Sequence, residues 1–262
     1  MKIALGIEYD GAGFHGWQSQ PHGNTVQDAL ERALAEIAGE SVRLTCAGRT
    51  DAGVHALAQV AHFECSAVRP GNAWVRGTND RLPESIAVRW AQPVEREFHA
   101  RFAARSRSYR YVLYNHPVRP ALNHRRVGWC HRPLDAELMR QAAQLLLGEQ
   151  DFSSFRAAEC QAKSPLKIVH HAEVVRRGDL IVFDFRANAF LQHMVRNIVG
   201  ALVLVGRGMQ APAWIAELIA RRDRTCGAPT FSPAGLYFAG VEYAPDWRLP
   251  TSGQLIAPSI FL

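Results

Sequence analysis

Lysine is almost missing from this chain. Lys2, Lys163 and Lys167 are the only three among 30 basic residues, so arginine carries the positive charge. A guanidinium suits bidentate phosphate contacts and stacking on bases better than an ammonium does. Cysteine is sparse and unpatterned. Cys46, Cys65, Cys130, Cys160 and Cys226 are odd in number and include no C-x-x-C pair. That argues against a disulfide framework and against a zinc site, and reduced, incidental thiols are expected. Long apolar runs are missing too. The longest, Ile198 to Val205, falls well short of the roughly twenty residues that a bilayer-spanning helix needs. No membrane partner is expected. Met1 to Leu5 runs straight into Glu8 and Asp10 without the layout of a secretory leader, so the expected location is cytoplasmic.

Acid is absent from one long stretch. Between His99 and Arg132 there is no Asp or Glu, while Arg101, Arg105, Arg107, Arg110, Arg119, Arg125, Arg126 and Arg132 all fall there. Tyr109, Tyr111, Tyr114 and Trp129 lie among them. A basic stretch interleaved with aromatics is what a polyanion groove requires, and nucleic acid is favoured over a merely solvated basic face. The whole chain carries a net charge of +6 on 262 residues, 48% of them hydrophobic. That is enough apolar material for a real core, in one large domain or two of ordinary size.

Periodicity sets out the elements. Ile3, Leu5, Ile7 and Tyr9 alternate as a first strand. Thr25-Val26-Gln27-Asp28 resembles a helix start, with Val26, Leu30, Ala33, Leu34 and Ile37 on one face and Gly39 at the end. Gln59 to Cys65 and Ile86 to Gln92 read as strands, Trp74 to Leu82 as helix or loop. Ser106 to Asn115 is strongly strand-like, with Tyr109, Tyr111 and Leu113 on one side. A helix over Asp135 to Leu147, capped by Gly148, precedes a hairpin of Lys167–Arg176 and Leu180–Arg186. Helices over Phe190–Val205 and Pro212–Arg222 and a strand over Leu236–Tyr243 complete the chain. This order predicts an α+β protein of two sandwich-like halves, each a mainly antiparallel sheet with helices on one face. The division is expected at 1–104 and 105–262, with an active-site cleft between the halves.

Three motifs invite chemistry. Gly11-Ala12-Gly13-Phe14-His15-Gly16 fits G-x-G-x-x-G, but the next helix starts only near Thr25, past Pro21. A dinucleotide fold needs a helix N-terminus at the third glycine, so a dehydrogenase reading is set aside. His55 and His62 lack a third ligand at suitable spacing, and adjacent His170 and His171 point to opposite strand faces, so no metal is expected. Gly48-Arg49-Thr50-Asp51-Ala52-Gly53-Val54-His55-Ala56 is different. It places arginine, aspartate and histidine among small residues that let a ligand approach the backbone. Arg49 could hold Asp51 ionised and aim it, or bind phosphate itself. On chemistry alone, this is either a site or a structural turn with a surface ion pair.

That loop resembles the signature of the tRNA pseudouridine synthase A family. So, in order, do Tyr9-Asp10-Gly11 with Phe14-His15-Gly16-Trp17-Gln18, Ser108-Tyr109-Arg110-Tyr111, Phe190 to Gly200, and Pro233-Ala234-Gly235-Leu236. Gln192 inside the fourth segment and Phe231-Ser232 before the fifth are small departures away from the Asp51 loop. The resemblance implies an isomerase that breaks the N1–C1′ bond of a uridine, turns the uracil and rejoins it through C5, without a cofactor. It implies a tRNA substrate modified at positions 38, 39 and 40 of the anticodon stem-loop, and a homodimer.

It also assigns roles. Asp51 is the catalytic carboxylate, whether by attacking C1′, deprotonating the ribose or adding to C6. Arg49 assists it. Tyr109 stacks on the uracil and its hydroxyl helps to remove the C5 proton, while Leu236 covers the other face. His55, Arg196, Arg107 and Arg110 join Tyr109 and Leu236 as candidate substrate-binding residues. The alternative is a non-catalytic RNA-binding protein, which would need the basic face but no buried Asp.

Overall fold

A computed structural model of the chain describes residues 1–250. The chain divides into two compact units. Met1–Arg105 and the segment from Phe238 onward form the first; Ser106–Tyr237 forms the second. The sequence-based division at 104/105 kept everything after it in one half. The structure instead returns the last strand, from Phe238 on, to the first unit. The final residues of the expected 105–262 half lie outside the described residues.

The first unit is built on strand β1 (Lys2–Tyr9), which pairs antiparallel with β3 (His55–Glu64) on one edge and β4 (Ile86–Val94) on the other. Ile3, Ala4, Leu5 and Ile7 are all buried, so β1 is covered on both faces rather than on the alternating face alone. The short β2 (Thr45–Cys46) pairs with β3. Helix α1 (Val26–Ala38) starts at Thr25, whose hydroxyl accepts the Asp28 N–H, and ends at Gly39 with φ 74°. Both ends agree with the sequence expectation.

The second unit is built on β5 (Ala104–Asn115), whose residues from Arg107 on run antiparallel to β9 (Leu180–Ala187). Strand β6 (Gly128–Cys130) pairs parallel with the end of β5. Beyond β9 come β8 (Leu166–Arg177) and β7 (Gly148–Asp151), both antiparallel. Helix α2 (Ala136–Gln144) lies against β8, and α3 (Met194–Gly206) lies against α2. Helix α4 (Trp214–Arg221) follows, and β10 (Leu236–Tyr243) leads back to the first unit. The architecture is α+β with mainly antiparallel pairing, as expected. Among the described residues no helix is long and apolar enough to cross a membrane.

Some boundaries differ for identifiable reasons. The expected helix from Phe190 begins only at Met194, because His193 takes φ 61° and Leu191 closes a turn on Met194 N at 3.1 Å. Just before it, Asn188 Oδ1 accepts from Ile168 N and Ala189 N. Gly148 does not cap α2; it opens β7 with φ 91°. Strand β3 starts at His55, four residues earlier than expected, because Tyr9 pairs with Ala56.

Candidate active site

The Gly48–Ala56 motif spans the loop that links β2 to β3 and the first two residues of β3, and Asp51 stands half-buried in the loop. Its neighbours are pinned on both sides. Before it, the Thr50 carbonyl accepts from Trp17 N at 3.0 Å, and Thr50 Oγ1 lies 2.7 Å from the Tyr9 hydroxyl. After it, Gly53, at φ 76°, donates to Phe14 O at 3.3 Å. Val54 N closes a turn on the Asp51 carbonyl at 3.2 Å.

The glycine-rich segment rejected as a dinucleotide loop is the cradle for this turn. A Cβ at Gly11 would run into the Val54 carbonyl oxygen, and one at Gly16, which has φ 90°, would stand 2.7 Å from the Thr50 carbonyl oxygen. Only glycine permits both approaches.

His55 fastens the same two segments. Its Nδ1 lies 3.1 Å from Gly11 N and 3.1 Å from Asp10 Oδ1, and the residue is 2% exposed. The structure thus places this expected substrate contact in the hold of the turn. His62 is buried too, and its Nδ1 accepts from Ala100 N at 3.2 Å, so the two histidines serve separate backbone partners. Arg49, two residues before Asp51, is exposed. The buried Cys46 thiol is pushed up to about 12 by desolvation, with the Arg49 charge opposing the rise.

In the second unit, Tyr109 sits on the face of β5 that also carries the fully buried Tyr111 and Leu113, yet remains half-buried at the rim. Phe190, delivered by the turn before α3, meets its ring edge-on at 4.9 Å and 77°. Arg107, two residues earlier on that face, donates to Asn188 O at 2.9 Å. Arg110 points the other way. Its Nε and Nη2 bind both oxygens of Asp184, at 2.7 and 2.9 Å, and the residue is buried. The structure places this expected substrate contact in an ion pair across β5 and β9.

Arg196, in the first turn of α3, directs Nε to Phe231 O at 2.8 Å. Next to it Tyr111 donates to Ser232 O at 2.9 Å, and burial pushes its phenol well above the usual range while the Arg196 charge opposes that. Gly235 lies so close to Val112 O and Gly128 N that any Cβ would collide. This fixes the turn ahead of Leu236, which is largely buried at the start of β10.

A family profile described as tRNA pseudouridine synthase matches residues 6–103 and 142–244. Over 250 residues the chain is 62% identical to the tRNA pseudouridine synthase A of Dechloromonas aromatica, covering 95% of each chain. The chain belongs to the tRNA pseudouridine synthase A family. It is also 60% identical over 256 residues to the tRNA pseudouridine synthase A of Aromatoleum aromaticum, covering 98% of this chain and 97% of that one. A solved Cbf5-Nop10-Gar1 complex is similar over 77% of this chain and 45% of that chain, at 13% identity and a TM-score of 0.33.

This synthase is an isomerase that converts uridine in tRNA to pseudouridine. Sequence reasoning missed several residues that shape its loops. Gln59 interrupts the apolar run of β3 and Asp184 sits within the apolar β9; a polar residue in a buried strand was the available signal. Thr50 and Phe190 carried no such signal, because their partners lie 41 and 81 residues away in sequence.

Proposed function

We propose that the synthase acts on uridines 38, 39 and 40 of the tRNA anticodon stem-loop, with Asp51 as the reacting carboxylate. The uridine positions follow from the family resemblance; the observation that supports Asp51 is the pinning of the residues on both sides of it, Thr50 by Tyr9 and Trp17 and Gly53 by Phe14. A carboxylate needed for chemistry must be held in one geometry, and a solvated turn would need no such hold. Asp51 opens the N1–C1′ bond, the freed uracil turns, and C5 bonds to C1′. The C5 proton then leaves and N1 gains one, so the product is an isomer of the substrate.

Tyr109 is the platform for the uracil, and its hydroxyl assists removal of the C5 proton. Phe190 sets the angle of that ring. Leu236 packs on the opposite face of the base. Arg49, Arg107 and Arg196 meet the phosphate backbone, with the exposed arginines of the 101–132 stretch extending the contact. A target inside a stem must be flipped out, which costs a few kcal/mol. Phosphate contacts offset this cost. The enzyme works as a homodimer in the cytoplasm, where its tRNA substrate is used.

The test is release of tritium from [5-³H]uridine in tRNA, followed by mapping of pseudouridine in the product. Turnover with pseudouridine at the three positions, lost in Asp51→Asn at nearly unchanged tRNA affinity, is the expected result. Binding without any tritium release by the native protein would favour the non-catalytic RNA-binding reading.

A further inference from the structure

We propose that Gln59 and Tyr9 are positioning residues for the isomerisation, acting on Asp51 through the backbone that precedes it; this rests on Asp51 being the reacting carboxylate. Gln59 is wholly buried on β3. Its amide faces the backbone of Gly48 in both directions: Nε2 donates to Gly48 O at 2.6 Å, and Oε1 accepts from Gly48 N at 3.4 Å. These are the two bonds that a neighbouring strand would supply. The backbone ladder itself stops just before, where Ala47 N meets Val60 O at 2.8 Å. The side chain thus extends strand pairing one residue into the loop.

Tyr9 continues the hold. Its hydroxyl bonds to Thr50, the residue next to Asp51. Tyr9 lies just beyond an irregularity in the pairing of β1 with β3, which re-aims its side chain. Burial pushes its phenol far above the usual range, so the hydroxyl keeps its proton at every working pH. Gly48 and Thr50 are thereby both tied to the sheet, while Arg49 between them faces outward.

The chemistry of this pair is informative. Apolar side chains of the same size would fill the space without the desolvation cost of buried amide and phenol groups. Their presence indicates that the bonds serve loop geometry rather than packing. Displacing a reacting group by about 1 Å costs on the order of 100-fold in rate. Affinity for tRNA comes from many phosphate contacts and does not depend on this loop alone.

The experiment compares Tyr9→Phe, Gln59→Leu, the double variant and Asp51→Asn with the native enzyme. Three quantities are read: single-turnover tritium release from [5-³H]uridine tRNA, the Kd for tRNA, and the melting temperature. Each single variant is expected to lose roughly 10- to 100-fold in rate, with Kd changed by less than about twofold. The double variant should lose much less than the product of the two, because both act on one loop.

Native rates in both single variants, beside a dead Asp51→Asn, would overturn the proposal whatever their melting temperatures. So would a loss of rate matched by an equal loss of affinity. Tyr9→Phe removes one oxygen and keeps the ring against Trp17, 5.9 Å away, so it decides the question should Gln59→Leu fold poorly. Turnover by Asp51→Asn would overturn the reading of Asp51 itself, and the positioning role with it.

Discussion

Arg110 and Asp184 face each other across β5 and β9, and the guanidinium holds both carboxylate oxygens, at 2.7 and 2.9 Å. An arginine in the middle of the acid-free stretch is thus committed to an acid 74 residues later. Removing one partner strands the other charge in a mostly buried site. Asp184→Ala and Arg110→Ala should each lower stability by about 3 kcal/mol, read by urea unfolding. The salt dependence of tRNA binding should not change. A stability loss near zero, or a smaller salt slope in Arg110→Ala, would show that Arg110 contacts RNA instead.

Tyr109 separates stacking from proton transfer. Tyr109→Phe keeps the ring against Phe190 and removes the hydroxyl; Tyr109→Leu removes both. A base stacked on an aromatic is worth about 1–3 kcal/mol, so Leu should weaken productive binding by about ten- to a hundredfold. Proton-transfer help is worth about 10²–10⁴ in rate, and Phe should already lose it. Phe is expected to bind tRNA normally and stall after glycosidic cleavage. Single-turnover kinetics and melting temperatures check this: a silent Phe with a heat-labile Leu would make Tyr109 a core residue.

Arg101 and Arg105 are exposed at the junction into β5, unlike Arg110. Neutralising one phosphate-binding arginine should lower the slope of log K against log salt by roughly one unit. Arg101→Gln with Arg105→Gln should therefore reduce it by about two. An unchanged slope would make these arginines a solvated face.

His62 sets a stability limit on the acid side. Its ring is buried beside His99, 4.9 Å away, and Phe98; with the nearby Lys2 charge, this lowers its pKa to about 4, against the opposing pull of Glu64. The folded pKa lies below the unfolded value of about 6.5. The unfolded chain therefore binds the proton more readily between those values. The contribution of this site is complete above about pH 6.5 and is lost as pH falls toward 4. His62→Asn, whose amide oxygen can still accept from Ala100 N, should flatten the fall of melting temperature across that window. An equally steep fall in the variant would place the acid sensitivity elsewhere.

What was legible in advance is local in origin. The ends of α1 are written in Thr25 and Gly39, because a cap bonds within its own first turn and a left-handed end needs a residue without Cβ. The face of β5 follows from strict alternation, and the hairpin of β8 and β9 from Gly178 in its turn. The Asp51 loop stood out because glycines flank charged residues. The start of α3 did not, because the apolar pattern from Phe190 continues through residues that the fold uses as a turn. Strands β2, β6 and β7 are too short to show a period.

The sequence by itself determined the α+β class, the family and the carboxylate loop, since these rest on patterns within a few residues of each other. Tertiary structure decided which polar side chains are bound into the frame and which stay exposed. Arg107 and Arg110 are near neighbours of one type on one strand, yet opposite faces of the sheet give them different partners. Tyr9 and Gln59 look like ordinary strand residues, and His55 like a loop residue open to substrate, until the fold brings Thr50, Gly48 and Gly11 within hydrogen-bond distance. A buried polar group must find its partner wherever the chain returns, and that return is a property of the whole fold.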